Sequence, residues 1–250
     1  MDELRVKCPW DQKQSFESLR TLTIEETYEL ADAILEGDAR EMEKELGDLL
    51  LHIVFYAKIG SEKKIFDWAS ICEKICQKLI NRHPHIYGDA DAKDAIAVKK
   101  NWEKIKLKEG RKSILEGVPK SLPPLVKAHR IQEKASAAGF DWDEPSKVYE
   151  KVTEELSELQ EAISKKNIDA IEDEMGDVFF SLVNYARFLG VNADDALART
   201  NEKFITRFRY IEKSLAKKNT SIQKATTTEM EKLWEQAKTA LKTKKCSTKK

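Results

Sequence analysis

Five acidic positions and one glycine occur twice in this chain with the same spacing. The first set is Glu25-Glu26-Thr27-Tyr28-Glu29 followed by Glu45-Leu46-Gly47-Asp48. The second is Glu154-Glu155-Leu156-Ser157-Glu158 followed by Glu174-Met175-Gly176-Asp177. Each acid of the second set lies 129 residues after its counterpart, and 13 of the 33 positions from Glu25 to Ala57 are identical in the second copy. A period this long excludes a solenoid. It describes a duplicated domain, and 250 residues suffice for two domains of ordinary size.

The spacing predicts helices. Carboxylates three apart share a helix face, as do Glu155 with Glu158 and Glu174 with Asp177. Val148, Val152, Leu156, Leu159 and Ile163 form an apolar stripe, with Glu155 inside it and Glu158 at its edge. The second helix continues Val178-Phe179-Phe180-Ser181-Leu182-Val183, apolar nearly all round, which predicts burial. Acids at the margin of a core repel one another and are costly to desolvate. Bound cations remove both costs, and an all-oxygen donor set selects Mg²⁺ or Mn²⁺ over zinc. A single Glu-rich helix is usually just a solvated face; two such helices, repeated at a fixed offset, are not.

The coarse reading is all-α, with no period-2 strand. Cys8-Pro9-Trp10-Asp11 reads as a turn. A first helix capped at Thr21 or Thr23 runs to about Leu35, Thr23 and Glu26 having capping-box spacing. Gly37-Asp38 breaks it, and a second helix runs from about Ala39 to Ile59, stopping at Gly60. Further helices are expected from about Phe66 to Asn81 and from about Ala95 to Glu109. Residues 1–110 make the N-terminal domain, and the Gly/Pro-rich stretch 111–124 the linker. Residues 125–250 make the C-terminal domain: a helix over Leu125–Ala137, a turn at Gly139-Phe140-Asp141-Trp142-Asp143, the carboxylate hairpin broken at Lys165-Lys166-Asn167, and helices carrying Lys203 and Trp234. The lysine-rich end reads as a solvated tail.

Weaker echoes extend the repeat. Lys78 and Arg82 match Lys203 and Arg207, and Trp102-Glu103 with Lys106 matches Trp234-Glu235 with Lys238. A Lys/Arg pair on one helix face suits phosphates, the Arg as a bidentate fork. Taken alone, such pairs are usually surface and such Trp residues core anchors. Their recurrence with the acids points to a site.

Composition narrows the classes. Charged residues are 35% and hydrophobic ones 41%, the balance of a globular chain. A net charge of +0 gives no general pull toward nucleic acid or an anionic membrane. The longest apolar run, Leu49–Ala57, is too short to span a bilayer, and Met1-Asp2-Glu3-Leu4-Arg5 has no signal-peptide core, so the expected location is the cytoplasm. The four cysteines include no Cys-x-x-Cys and read as reduced structural thiols. A redox di-metal bundle would need Glu-x-x-His, and Leu49, Ile80, Arg82 and Val126 precede the four histidines at that spacing.

These motifs, with Arg82-His83-Pro84-His85, Gly139-Phe140-Asp141-Trp142 and Asn201-Glu202-Lys203-Phe204, make the chain resemble the two-domain MazG nucleoside triphosphate pyrophosphohydrolases of the all-α NTP pyrophosphatase superfamily. The resemblance spans nearly the whole chain. It implies tandem helical-bundle domains, a homodimer, and Mg²⁺-dependent hydrolysis of NTPs or dNTPs to NMP and pyrophosphate, with no membrane or nucleic-acid partner. It maps metal ligands onto Glu155, Glu158, Glu174 and Asp177, and nucleotide contacts onto Lys151, Lys203, Arg207 and Trp234. Glu154 or Glu155 is the implied general base. The N-terminal half keeps Glu26, Glu29, Glu45 and Asp48 as a second metal set. Leu22 stands there in place of Lys151, and His83-Pro84-His85 in place of Phe208-Arg209-Tyr210, so the C-terminal half is the expected catalyst. The rival function is a nucleotide-binding regulatory dimer acting in nucleotide or alarmone (ppGpp) control.

Overall fold

The computed structural model describes residues 1–91, 93, 94, 97, 98, 101, 102, 105, 109, 110 and 112–247, with side chains as far as residue 240. The expected helix at 95–109 and its Lys106 fall largely outside these residues. Among the described residues there is no strand, and no helix is long and apolar enough to cross a membrane. The chain divides into two compact units, Met1–Trp102 and Glu103–Lys250.

The N-terminal unit contains α1 (Asp2–Lys7), α2 (Pro9–Lys13), α3 (Phe16–Glu36), α4 (Ala39–Glu62), α5 (Trp68–Arg82) and α6 (Pro84–Tyr87). Pro9 starts a short helix where a turn was expected: its missing N–H costs nothing at a first helical position. The cap of α3 is Ser15, not a threonine. Ser15 accepts from Ser18 N–H while the Ser18 hydroxyl accepts from Ser15 N–H. Thr23 lies inside the helix, its hydroxyl bonded to the Leu19 carbonyl and to Tyr56 across the hairpin. The apolar period extends back through Leu22, Leu19 and Phe16, and packing Leu19 with Phe55 and Ile59 outweighs a weaker cap signal.

Gly37 ends α3 in the left-handed region at φ +73°, its N–H reaching the Ala33 and Ile34 carbonyls, and the Asp38 side chain then caps α4. Gly60 does not stop α4. A Cβ at Gly60 would sit 2.4 Å from the Phe66 ring, so the glycine allows the following loop to close over the helix.

The C-terminal unit contains α7 (Pro124–Ala137), α8 (Pro145–Lys165), α9 (Ile168–Phe188), α10 (Ala193–Ala216), a 3₁₀ turn (Ile222–Lys224) and α11 (Thr227–Ser247). The α8–α9 hairpin repeats the α3–α4 hairpin down to its turn: Lys166 takes the left-handed conformation and Asn167 caps the second helix. α7 and α10 pack on α9, and Ile211, Leu215 and Leu233 form the core between α10 and α11. Gln132 of α7 donates to the Phe180 carbonyl of α9 at 2.8 Å.

Burial differs from expectation on both helices of this hairpin. Val148, Val152, Glu155, Leu159 and Ala162 are the buried face of α8, whereas Leu156 and Ile163 are exposed. On α9, Val178, Ser181 and Val183 are buried, but Phe179, Phe180 and Leu182 are exposed at 55%, 43% and 44%. The hairpin therefore keeps an uncovered apolar face in the single chain.

The Gly-Phe-Asp-Trp loop is tied to the end of α9. Arg187 grips Asp141 with both terminal nitrogens, one at 3.0 Å, and the two side chains are only 15% and 24% exposed. Burial opposes ionisation of Asp141, but hydrogen bonds from Arg187 and Ser136 outweigh it and hold the carboxyl below its ordinary value of 3.8. Arg187→Met should destabilise this unit by about 1.5–3 kcal/mol at neutral pH. A depressed acid contributes stability that is complete above the ordinary value and lost as pH falls through the folded one. The difference in melting temperature between wild type and Arg187→Met should therefore vanish in strong acid; a difference that persists there would rule out the ion pair as its origin.

Candidate metal and nucleotide site

Two acid clusters arise on the two hairpins. In the N-terminal unit Glu26 and Glu29 of α3 and Glu45 of α4 each place a carboxylate oxygen within 4.8 Å of the others. In the C-terminal unit Glu155 of α8 and Glu174 and Asp177 of α9 do the same. Three of the four expected acids converge in each unit, and the one outside differs: Asp48 in the first, Glu158 in the second. Both outliers still act on their cluster. Desolvation, then the charges of Asp48, Glu29 and Glu45, raise the pKa of Glu26. Partial desolvation, then Glu155, raise that of Glu158.

The donor sets fit a hard cation. They are entirely carboxylate oxygen, and each is anchored by one buried acid, Glu45 at 2% exposure and Glu155 at 7%. Glu45 Oε2 is buried with no hydrogen-bond partner, a cost that a cation would remove.

Each cluster also carries a lysine. Lys151 Nζ lies 2.8 Å from an oxygen of Glu154 and 2.8 Å from one of Glu155. These two hydrogen bonds, that to Glu154 first, raise the lysine's pKa. Lys44 Nζ lies 2.6 Å from Glu45 Oε1, with Glu41 at 3.6 Å. Lys44 is not among the site residues that the repeat suggests, since Leu22 stands at the position equivalent to Lys151. Adjacent helical residues do not face each other, so the spacing rule hides a Lys44–Glu45 contact that only a long side chain can make.

Of the expected nucleotide contacts, Arg207 and Trp234 meet. The Arg207 guanidinium stands 5.3 Å over the indole ring, and its Nε is buried without a hydrogen-bond partner. Trp234 packs on the α10–α11 core and against Phe204 at 5.2 Å between ring centres. Lys203 is exposed on α10. In the N-terminal unit the ring that meets Trp102 is His83, at 5.2 Å.

Comparison with known proteins places the chain in a family. The profile of the MazG nucleotide pyrophosphohydrolase domain matches residues 14–87 and 143–211. The chain is 40% identical over 237 residues to the nucleoside triphosphate pyrophosphohydrolase of Escherichia coli K12, covering 92% of this chain and 90% of that one. It is 42% identical over 243 residues to the nucleoside triphosphate pyrophosphohydrolase/pyrophosphatase MazG of Thermotoga maritima, covering 95% and 92%. A Bacillus subtilis protein, the uncharacterized YabN, is 42% identical over 92% of this chain but only 48% of its own length. With its domain profile matched twice and full-length relatives at this identity, the chain belongs to the MazG nucleotide pyrophosphohydrolase family.

Proposed function

We propose that this protein is a Mg²⁺-dependent nucleoside triphosphate pyrophosphohydrolase whose working site is the C-terminal hairpin. The observation that carries the reading is the convergence of Glu155, Glu174 and Asp177 in a chain whose full-length relatives bear that activity in their names. Glu155, Glu174 and Asp177 would hold a divalent cation, with Glu158 beside them, and the cation would supply positive charge against the triphosphate and make a water more acidic. Glu154 lies outside the converging set and can accept the water proton without giving up a cation-binding oxygen. Lys151, Lys203 and Arg207 offset phosphate charge, and Trp234 offers a ring beside Arg207. The water oxygen bonds to the α-phosphorus, the bond from that phosphorus to the bridging oxygen breaks, and pyrophosphate departs with the electron pair.

Three further elements complete the reading. The N-terminal cluster is a second cation site of low or no hydrolytic activity. The protein is a homodimer in the cytoplasm, supported by the uncovered Leu156, Ile163, Phe179, Phe180 and Leu182 and by free thiols at Cys8, Cys72 and Cys76. Hydrolysis in heavy-oxygen water tests the bond cleaved. The label should appear in the NMP and not in the pyrophosphate; NDP and inorganic phosphate as first products would refute the reading.

A further inference from the structure

Both acid clusters hold a lysine ammonium on their most buried carboxylate. Lys151 Nζ sits 2.8 Å from Glu155 Oε1 and Lys44 Nζ 2.6 Å from Glu45 Oε1. The two lysines are not copies of each other. At the offset of the repeat, Lys151 faces Leu22, and Lys44 faces Asp173. One reaches from a full turn earlier on its helix, the other from the neighbouring position. A contact inherited through duplication would use equivalent positions. The same contact made from two unrelated positions points to the demand of the cluster itself. Three carboxylate oxygens within 4.8 Å of one another require a positive charge when no metal supplies it.

The C-terminal lysine has a further feature. Its ammonium bridges Glu155, which is buried in the cluster, and Glu154, which is exposed and outside it. The lysine side chain is itself 36% exposed. It can leave Glu155 without losing its hold on the chain, because Glu154 keeps one hydrogen bond during the movement. A divalent cation outcompetes an ammonium at Glu155: it carries twice the charge and can bind all three converging acids, whereas a single nitrogen can satisfy few of them.

We propose that Lys151 is a resident counter-ion of the C-terminal cluster, displaced from Glu155 when a divalent cation enters, and that the released ammonium takes up a phosphate oxygen of the incoming nucleotide. One side chain then couples metal binding to substrate binding, and the coupling is reciprocal. This rests on the reading of the cluster as the cation site of nucleotide hydrolysis, and it adds the order of events and the part played by Glu154.

Binding of Mn²⁺ to the full chain, followed by electron paramagnetic resonance with and without an α,β-methylene NTP analogue, tests this. Asp177→Asn identifies which of the bound Mn²⁺ belongs to the C-terminal cluster. Without nucleotide, Lys151→Met should bind that Mn²⁺ about fivefold more tightly, because nothing has to be displaced. With the analogue present the sign should invert, and Lys151→Met should bind Mn²⁺ more weakly than wild type. Lys151→Arg grips the two glutamates as a fork and should weaken Mn²⁺ binding in the absence of nucleotide. Circular dichroism verifies that each variant is folded. A Lys151→Met effect of one sign under both conditions, or no effect without nucleotide, overturns the proposal. Retention of every bound Mn²⁺ in Asp177→Asn would instead overturn the assignment of the cluster, so the two failures are distinguishable.

Discussion

Asp177→Asn should lower kcat/KM for NTP hydrolysis by at least about 100-fold, the loss expected when one charge stabilising a transition state is removed. The substitution keeps the side chain's shape and removes its charge from a cluster whose oxygens lie within 4.8 Å of one another. Asp177 is exposed, so no core contact is lost and the fold should survive. In the absence of metal the variant should be as stable as wild type or more so, because one of several crowded carboxylates has been neutralised. In the presence of Mg²⁺ wild type should gain thermal stability by linkage, and the part of that gain owed to the C-terminal cluster should disappear in the variant. Near-wild-type turnover with a native circular dichroism spectrum would show that the cluster does not hold the catalytic cation.

Arg207→Ala should raise the apparent NTP constant or lower turnover by at least about tenfold. Loss of a bidentate guanidinium–phosphate contact costs about 1.5–3 kcal/mol, and about 1.4 kcal/mol is a factor of ten. The guanidinium is held in place before substrate arrives, 5.3 Å over the Trp234 ring, so little ordering is needed on binding. Arg207→Lys should not restore activity, because an ammonium has neither the fork nor the flat face. The matching Arg82→Ala in the N-terminal unit should leave hydrolysis within about twofold, on the reading that catalysis belongs to the C-terminal copy. In that unit it is His83 whose ring meets the Trp, and the run that follows Arg207 is absent. Steady-state kinetics on both variants decide the point: equal losses would mean that both units hydrolyse nucleotide.

The sequence by itself determined the duplication, the helical class and the two hairpins. It did so because these depend on local chemistry. Acid spacing three and four apart defines a helix face, Gly37-Asp38 supplies the left-handed turn and cap, and Lys166-Asn167 repeats that pair with a weaker residue in the same conformation. The placement of Glu155 inside an apolar stripe was legible for the same reason, and the residue is buried.

What only the tertiary structure decided is how helices are rotated against one another. Periodicity fixes an angle about one helix axis and is silent on the distance to an acid of the neighbouring helix. Hence four equivalent acids in each copy become Glu26, Glu29 and Glu45 in one unit and Glu155, Glu174 and Asp177 in the other. The same limit explains α9: its apolar surface is nearly continuous in sequence, but one hairpin partner and two flanking helices cover only part of it, leaving Phe179, Phe180 and Leu182 exposed. Gly60, a helix stop by sequence alone, lies within α4 because the Phe66 ring packs against it. Lys44 and Lys151 reach their glutamates through long, flexible side chains whose endpoints no backbone period specifies, so the positive charge at each cluster came into view only with the packed hairpins.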